Sequence, residues 1–172
     1  MMGFPPLRPP GACDEASFLR RCVRCGKCEE ICPHSCITLM GGFGRNRLTP
    51  EIVPRRAPCY LCMKCPAACP TGALDPHIKD MKDANMGQAC IATNLCHNYA
   101  ADGVMCMTCY DRCPLRGSAV LLENVMPTMT DACVGCGVCA YVCPRDAIII
   151  VPRSSKIRPL SIAPIKTLQR TP

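Results

Sequence analysis

Sixteen of the nineteen cysteines fall into four sets that share nearly one spacing. The first set is Cys22, Cys25, Cys28 and Cys32 before Pro33, the second Cys59, Cys62, Cys65 and Cys69 before Pro70, and the fourth Cys133, Cys136, Cys139 and Cys143 before Pro144. All three read C-x2-C-x2-C-x3-C-P. The third ends in the same way, at Cys106, Cys109, Cys113 and Pro114, but its first member, Cys96, is displaced upstream to give C-x9-C-x2-C-x3-C-P. Thiolates separated by two residues can turn inward on one small metal cage. A proline after the last cysteine turns the chain away, so that the fourth thiolate can serve a neighbouring cage.

This is the run that holds cubane iron–sulfur clusters in pairs, three cysteines on one cluster and the fourth on another. Four copies predict four [4Fe-4S] clusters with all sixteen cysteines as ligands. Structural zinc joins two C-x2-C pairs across a longer linker and fits three consecutive x2-spaced cysteines poorly. A radical enzyme built on S-adenosylmethionine needs C-x3-C-x2-C, the reverse of the third set, and no glycine-rich nucleotide loop accompanies it. With every ligand a thiolate and every set complete, no iron is left open for substrate, so the chain reads as a non-catalytic carrier of electrons. Cys13, Cys36 and Cys90 lie outside the sets and read as plain thiols, Cys90 being the one substitute for Cys96. Among His34, His77 and His97, only His97, beside a cluster cysteine, reads as a tuner. Met63, Met105 and Met107 read as fillers of irregular space around the cubanes.

The elements that must position these thiols are few. Leu, Ile, Val and Phe make only about a fifth of the 172 residues and there is no Trp, so ordinary burial offsets little of the entropy of ordering the backbone. Metal must supply much of the folding energy. The formal charge of +7 counts neutral thiols. Four oxidised cubanes with their thiolates, about −2 each, bring the loaded protein close to neutrality, and with little aromatic interleaving nucleic acid is excluded as a partner. The first twelve residues hold no apolar h-region or twin arginine and the chain holds no membrane span, which predicts a cytoplasmic setting where thiols stay reduced.

Short apolar runs at 36–40, 52–53, 119–124 and 147–151 predict strands. Helical turns are expected at 14–21, capped by Asp14, and at 78–86, closed by Gly87. The fold class is α+β: repeated bacterial-ferredoxin-like modules wrapped around iron–sulfur clusters, with low regular secondary structure and extended termini. Residues 1–12 form an extended N-terminal arm, 13–151 the four-cluster domain of two modules, and 152–172 an extended basic tail. The apolar residues of both ends, Phe4 and Leu7 in the first and Ile157, Leu160, Ile162, Ile165 and Leu168 in the second, would dock on a partner.

The chain resembles the four-cluster polyferredoxins related to the ferredoxin-type G subunit of the periplasmic nitrate reductase system. The likeness runs from residue 7 to 151. It rests on Leu7-Arg-Pro-Pro-Gly-Ala12 ahead of Cys22-Val-Arg-Cys-Gly-Lys-Cys28, on the segments at 69–75 and 83–87, and on the stretched third set. The resemblance implies an electron-relay subunit and a nested wiring, first set with fourth and second with third; sequential pairing fits the linker lengths as well. Cytoplasmic members of similar type serve tungsten-dependent aldehyde oxidoreductases. The implied partners are therefore a catalytic subunit with a tungsten or molybdenum cofactor, a flavin subunit and further copies of the chain. The alternative is a quinol-dehydrogenase-associated relay for a respiratory reductase.

Overall fold

The computed structural model describes residues 5–100 and 104–154. Phe4 and the tail from residue 155 onward, which were expected to dock on a partner, lie outside those residues.

Helix α1 (Glu15–Arg21) forms where its sequence supplies both ends. The Asp14 carboxylate accepts the Ser17 N–H at 3.0 Å, with Glu15 in the first turn and Arg20 and Arg21 in the last, each charge set against the opposite end of the helix dipole. Its inner face buries Phe18 completely. The helices that follow are single turns: α2 (Lys27–Glu30), α3 (Lys64–Ala68), α5 (Thr108–Asp111) and α6 (Val138–Val142), each carrying a cluster-type cysteine, and α4 (His97–Ala100), which begins just after Cys96. Helix α2 packs on α3, and α5 on α6.

The strands form three separate antiparallel pairs. Strands β1 (Ile37–Leu39) and β2 (Pro50–Ile52) align Ile37 with Ile52, both buried. Strand β3 (Gly87–Ile91) pairs with β6 (Ile148–Pro152), Ala89 opposite Ile150. Strand β4 (Val120–Glu123) pairs with β5 (Met126–Met129), Val120 opposite Met129. The four expected strands are present within a residue or two, while β3 and β5 were not foreseen. Pro127 concealed β5, yet it sits in a two-stranded ribbon where a missing N–H is tolerated. The helix expected at 78–86 is only a 3-10 turn at Met81–Asp83. Asp80 caps its start by accepting the Lys82 N–H, and Asn85 is left-handed before the chain enters β3.

The N-terminal arm is extended, but its described part lies inside the protein. Leu7, Arg8, Pro9 and Pro10 are buried. The Leu7 carbonyl accepts the Ile52 N–H at 2.8 Å, and the Gly11 carbonyl accepts that of Asp75 at 2.8 Å. Leu7 therefore fills this chain's own core. Arg8 is only 4 % exposed and is fully engaged. It makes a two-pronged ion pair with Glu15 at 3.0 and 2.5 Å, donates to Thr49 Oγ1 and the Pro50 carbonyl at 2.8 Å each, and stacks over the Phe18 ring.

Two apolar clusters result. One gathers Leu7, Phe18, Ile37, Ile52 and Leu74 and extends to Val134, Cys136 and Val138; the other gathers Ala89, Ala119 and Ile148 around Cys109, Cys133 and Cys139. No helix among the described residues is long and apolar enough to cross a membrane.

Candidate metal centres

In three of the four sets the second cysteine sits between two left-handed residues: Arg24 and Gly26 around Cys25, Leu61 and Met63 around Cys62, Gly135 and Gly137 around Cys136. Each left-handed step reverses the local curl of the chain, so the loop closes on itself and three successive sulfurs face one hollow before the single-turn helix begins. The third set lacks this device. Met107 has φ −119°, and Asn98 closes the longer loop instead. Its side-chain amide accepts the Cys106 N–H at 2.8 Å and donates to the Cys106 carbonyl at 2.6 Å and the Val125 carbonyl at 2.6 Å. Nothing in the spacing pointed to Asn98.

After Cys-Pro the chain turns again through a left-handed residue, Ser35, Gly72 or Asp146, and in the runs of Gly72 and Asp146 this brings an N–H back onto the sulfur just passed. Leu74 N–H donates to Cys69 Sγ at 3.5 Å and Ala147 N–H to Cys143 Sγ at 3.3 Å. Ala89 N–H reaches Cys133 Sγ and Leu61 N–H reaches Cys59 Sγ, both at 3.4 Å. Such bonds favour the thiolate. At Cys69 burial works upward on the thiol pKa, but the N–H groups of Leu74 and Thr71 outweigh it and hold the value below the ordinary range.

Sulfurs from paired runs gather around three hollows. One is lined by Cys22, Cys25, Cys28 and Cys69. A second is lined by Cys32, Cys59, Cys62 and Cys65, and also by Cys36. A third is lined by Cys113, Cys133, Cys136 and Cys139, and also by Cys109. Burial pushes the Cys109 thiol up to about 11, with the nearby Cys106, Cys96 and Cys143 adding to it. Burial likewise pushes Cys28 and Cys136 to about 11 and Cys65 to about 12. Each hollow thus draws three cysteines from one run and the last cysteine of another. This is the donor set a cubane requires. Among the described residues no three His, Cys, Asp or Glu groups converge as they would on one metal ion; the sulfurs stand around hollows instead.

The partners of each run differ from the nested wiring. The first set exchanges its last cysteine with the second, Cys32 for Cys69, and the third exchanges with the fourth, Cys113 for Cys143. Pairing is sequential because α2 packs on α3 and α5 on α6, and each pair shares one apolar cluster. The two modules then meet through the second and fourth sets. Cys59 N–H donates to the Cys136 carbonyl at 2.9 Å, and Met86 N–H to the Val134 carbonyl at 3.0 Å. Arg55 forms an ion pair with Asp146 and donates to the Ile148 carbonyl at 3.1 Å.

Of the remaining residues, Cys90 lies in β3 opposite Ile149, while Cys96 stands near Cys109. Cys13 borders the first core with its N–H on the Ala73 carbonyl. His34 lines the second hollow, its ring centroid 4.7 Å from that of Tyr60; the sequence had singled out His97 instead. Met63 lines that hollow as expected, whereas Met105 is 73 % exposed and fills nothing.

Residues 21–73 match the 4Fe-4S dicluster domain family and residues 126–149 the 4Fe-4S binding domain family. Over 162 residues the chain is 40 % identical to the methylamine utilization ferredoxin-type protein MauM of Paracoccus denitrificans, covering 86 % of this chain and 71 % of that protein. It is 41 % identical to MauM of Methylorubrum extorquens over 86 % of this chain and 73 % of that one. Against the ferredoxin-type protein NapG of Escherichia coli K12 the identity is 39 %, over 91 % of this chain and 72 % of the relative.

Proposed function

Given that the chain belongs to the ferredoxin-type iron–sulfur proteins that include MauM and NapG, and so is an electron-transfer protein that binds [4Fe-4S] clusters, we propose that it is the relay subunit of an oxidoreductase complex, with four such clusters passing single electrons between a catalytic subunit and a further redox partner. The observation that carries this reading is the gathering of thiols from paired runs around shared hollows, three cysteines of one run beside the last of another. Cys22, Cys25, Cys28 and Cys69 would hold one cluster, and Cys32, Cys59, Cys62 and Cys65 the next. Cys113, Cys133, Cys136 and Cys139 would hold the third, and Cys96, Cys106, Cys109 and Cys143 the last. Each cluster supplies reversible one-electron storage. The chain's own part is to hold the thiols, to aim N–H groups at Cys59, Cys69, Cys133 and Cys143, and to keep Cys136 away from water.

Exposure differs from site to site. Cys25 is exposed beside Arg24, whose guanidinium holds the carbonyls of Arg45 and Arg47 at 3.1 and 3.0 Å and so fixes a basic loop at the first site. That edge suits an acidic partner surface. Cys136, at the seam, is buried. For the catalytic partner, the resemblance favours a tungsten- or molybdenum-dependent aldehyde oxidoreductase in the cytoplasm. The likeness to MauM and NapG supports a second reading, a quinol-associated relay for a respiratory or amine-oxidising system.

Anaerobic purification tests the reading. About sixteen iron and sixteen labile sulfide per chain are expected, bleached reversibly by dithionite. About twelve iron, or mostly zinc, overturns it. Cys109→Ser and Cys113→Ser should disturb different components of the electron paramagnetic resonance spectrum, and identical losses refute the wiring. Tungsten or molybdenum in the co-purified catalytic subunit selects the first partner; a membrane quinol dehydrogenase in its place selects the second.

A further inference from the structure

Five thiols, not four, line the second hollow, and the fifth is Cys36. Its Sγ lies 3.4 Å from that of Cys32, and the residue is 4 % exposed at the entrance to β1. The internal repeat shows how unusual this is. Four residues after the last cysteine of a set, the second run has Ala73 and the fourth Ala147, both buried, and the third has Gly117. Only in the first run does that position carry a sulfur.

We propose that Cys36 is a reserve ligand of the second site, able to take the place of Cys32. This rests on the reading of that site as a cubane held by Cys32, Cys59, Cys62 and Cys65. The two sulfurs share the turn from Cys32 to Cys36, kept tight by Ser35 at φ 48° and by the Ser35 N–H on the Cys32 carbonyl at 3.2 Å. A displacement of the size that separates them is within the reach of a side-chain rotation. The exchange is balanced and redox-neutral: one iron–sulfur bond to Cys32 breaks, one to Cys36 forms, and the Cys36 proton passes to the departing thiolate. No oxidant or reductant is consumed. Cys32 is also the ligand most in need of a substitute. It is the only one of the four delivered from the first run, so a shift between α2 and α3 would strain its bond before those of Cys59, Cys62 and Cys65. The first site has no such device, since Cys69 is followed by Ala73.

Four anaerobically purified full-length variants decide the matter through iron and sulfide content, paramagnetic resonance line shape and protection of thiols from alkylation. Cys36→Ala should keep the full iron content. Cys32→Ala should also keep it, with an altered signal from one cluster and with Cys36 newly protected. The double variant Cys32→Ala/Cys36→Ala should fall by one cluster, to about twelve iron, and so should Cys69→Ala. Equal losses in Cys32→Ala and Cys69→Ala overturn the proposal, as does full iron in the double variant. If the unaltered protein lacks four clusters, the cubane reading of the site fails; if it carries them and Cys32→Ala is not rescued, only the role of Cys36 fails.

Discussion

Gly135 and Gly137 are held by two independent constraints, backbone conformation and space. Gly135 has φ 74°, and a Cβ built there would lie 2.5 Å from the backbone nitrogen of Gly87; Gly137 has φ 84° and would meet Pro54 Cβ at 2.5 Å. Main chain cannot move aside as a side-chain tip can. Gly135→Ala should therefore destabilise the loaded protein by roughly 2–4 kcal/mol, from left-handed strain plus overpacking at the seam between modules. Gly41→Ala is the control, since nothing lies within 4 Å of that position. Denaturant unfolding followed by cluster absorbance checks this, and equal midpoints for the two variants would count against it. Spacing alone identified the sixteen thiols. It could not supply the loop geometry: Arg24, Leu61 and Met63 adopt left-handed conformations that their residue types do not favour, because the closed loop dictates them. Asn98 escaped for the same reason, as its value lies wholly in reaching Cys106 across an insertion.

At the scale of elements, α1 was legible to its cap because Asp14, Glu15 and the terminal arginines act locally. The arm before it was not. A proline-rich stretch with few apolar residues reads as an arm that docks on a partner, yet Arg8 ties α1 to the loop before β2 through Glu15, Thr49 and the Pro50 carbonyl. These three polar partners and the Phe18 ring compensate the buried guanidinium. Removing it leaves Glu15 with a half-buried charge and the Pro50 carbonyl unpaired. Arg8→Ala should cost about 3–5 kcal/mol, the range for breaking one side of a buried pair. The double variant Arg8→Met/Glu15→Leu should recover most of that loss, because it removes both charges and keeps apolar volume. A double-mutant cycle by denaturant unfolding measures the coupling. Additive effects would mean that the ion pair does not organise this corner. The misread segment at 78–86 teaches the complementary lesson: Asp80 starts a turn there, but left-handed Asn85 ends it before a helix can run to Gly87.

Across the whole molecule, the order of the sites depended on contacts the sequence does not advertise. Linker lengths allowed nested and sequential wiring alike; a few backbone bonds between residues 59, 86 and 87 and residues 134–136 fix how the modules meet. What composition did disclose is how little would hold the chain without metal. Each sheet has only two strands, and such pairs are marginal in water unless packed against something larger. That something is largely sulfur: Cys59, Cys65, Cys109, Cys133, Cys136 and Cys139 are among the buried residues of the two apolar clusters, and the single-turn helices carry many of them. With the clusters removed, the thiols facing each hollow would lose their common partner and the loops around Cys25, Cys62 and Cys136 would lose the reason to stay closed. Binding and folding are then one equilibrium. Chelation or oxidative loss of the clusters should collapse far-ultraviolet circular dichroism and amide protection together, including at α1 and the β1–β2 pair, which hold no cluster ligand. Restoring iron and sulfide under reducing conditions should return both signals in parallel with cluster absorbance. An apo-protein that kept a cooperative thermal transition would show instead that Phe18, Leu74 and their neighbours suffice, and that the metal is carried by a fold already made.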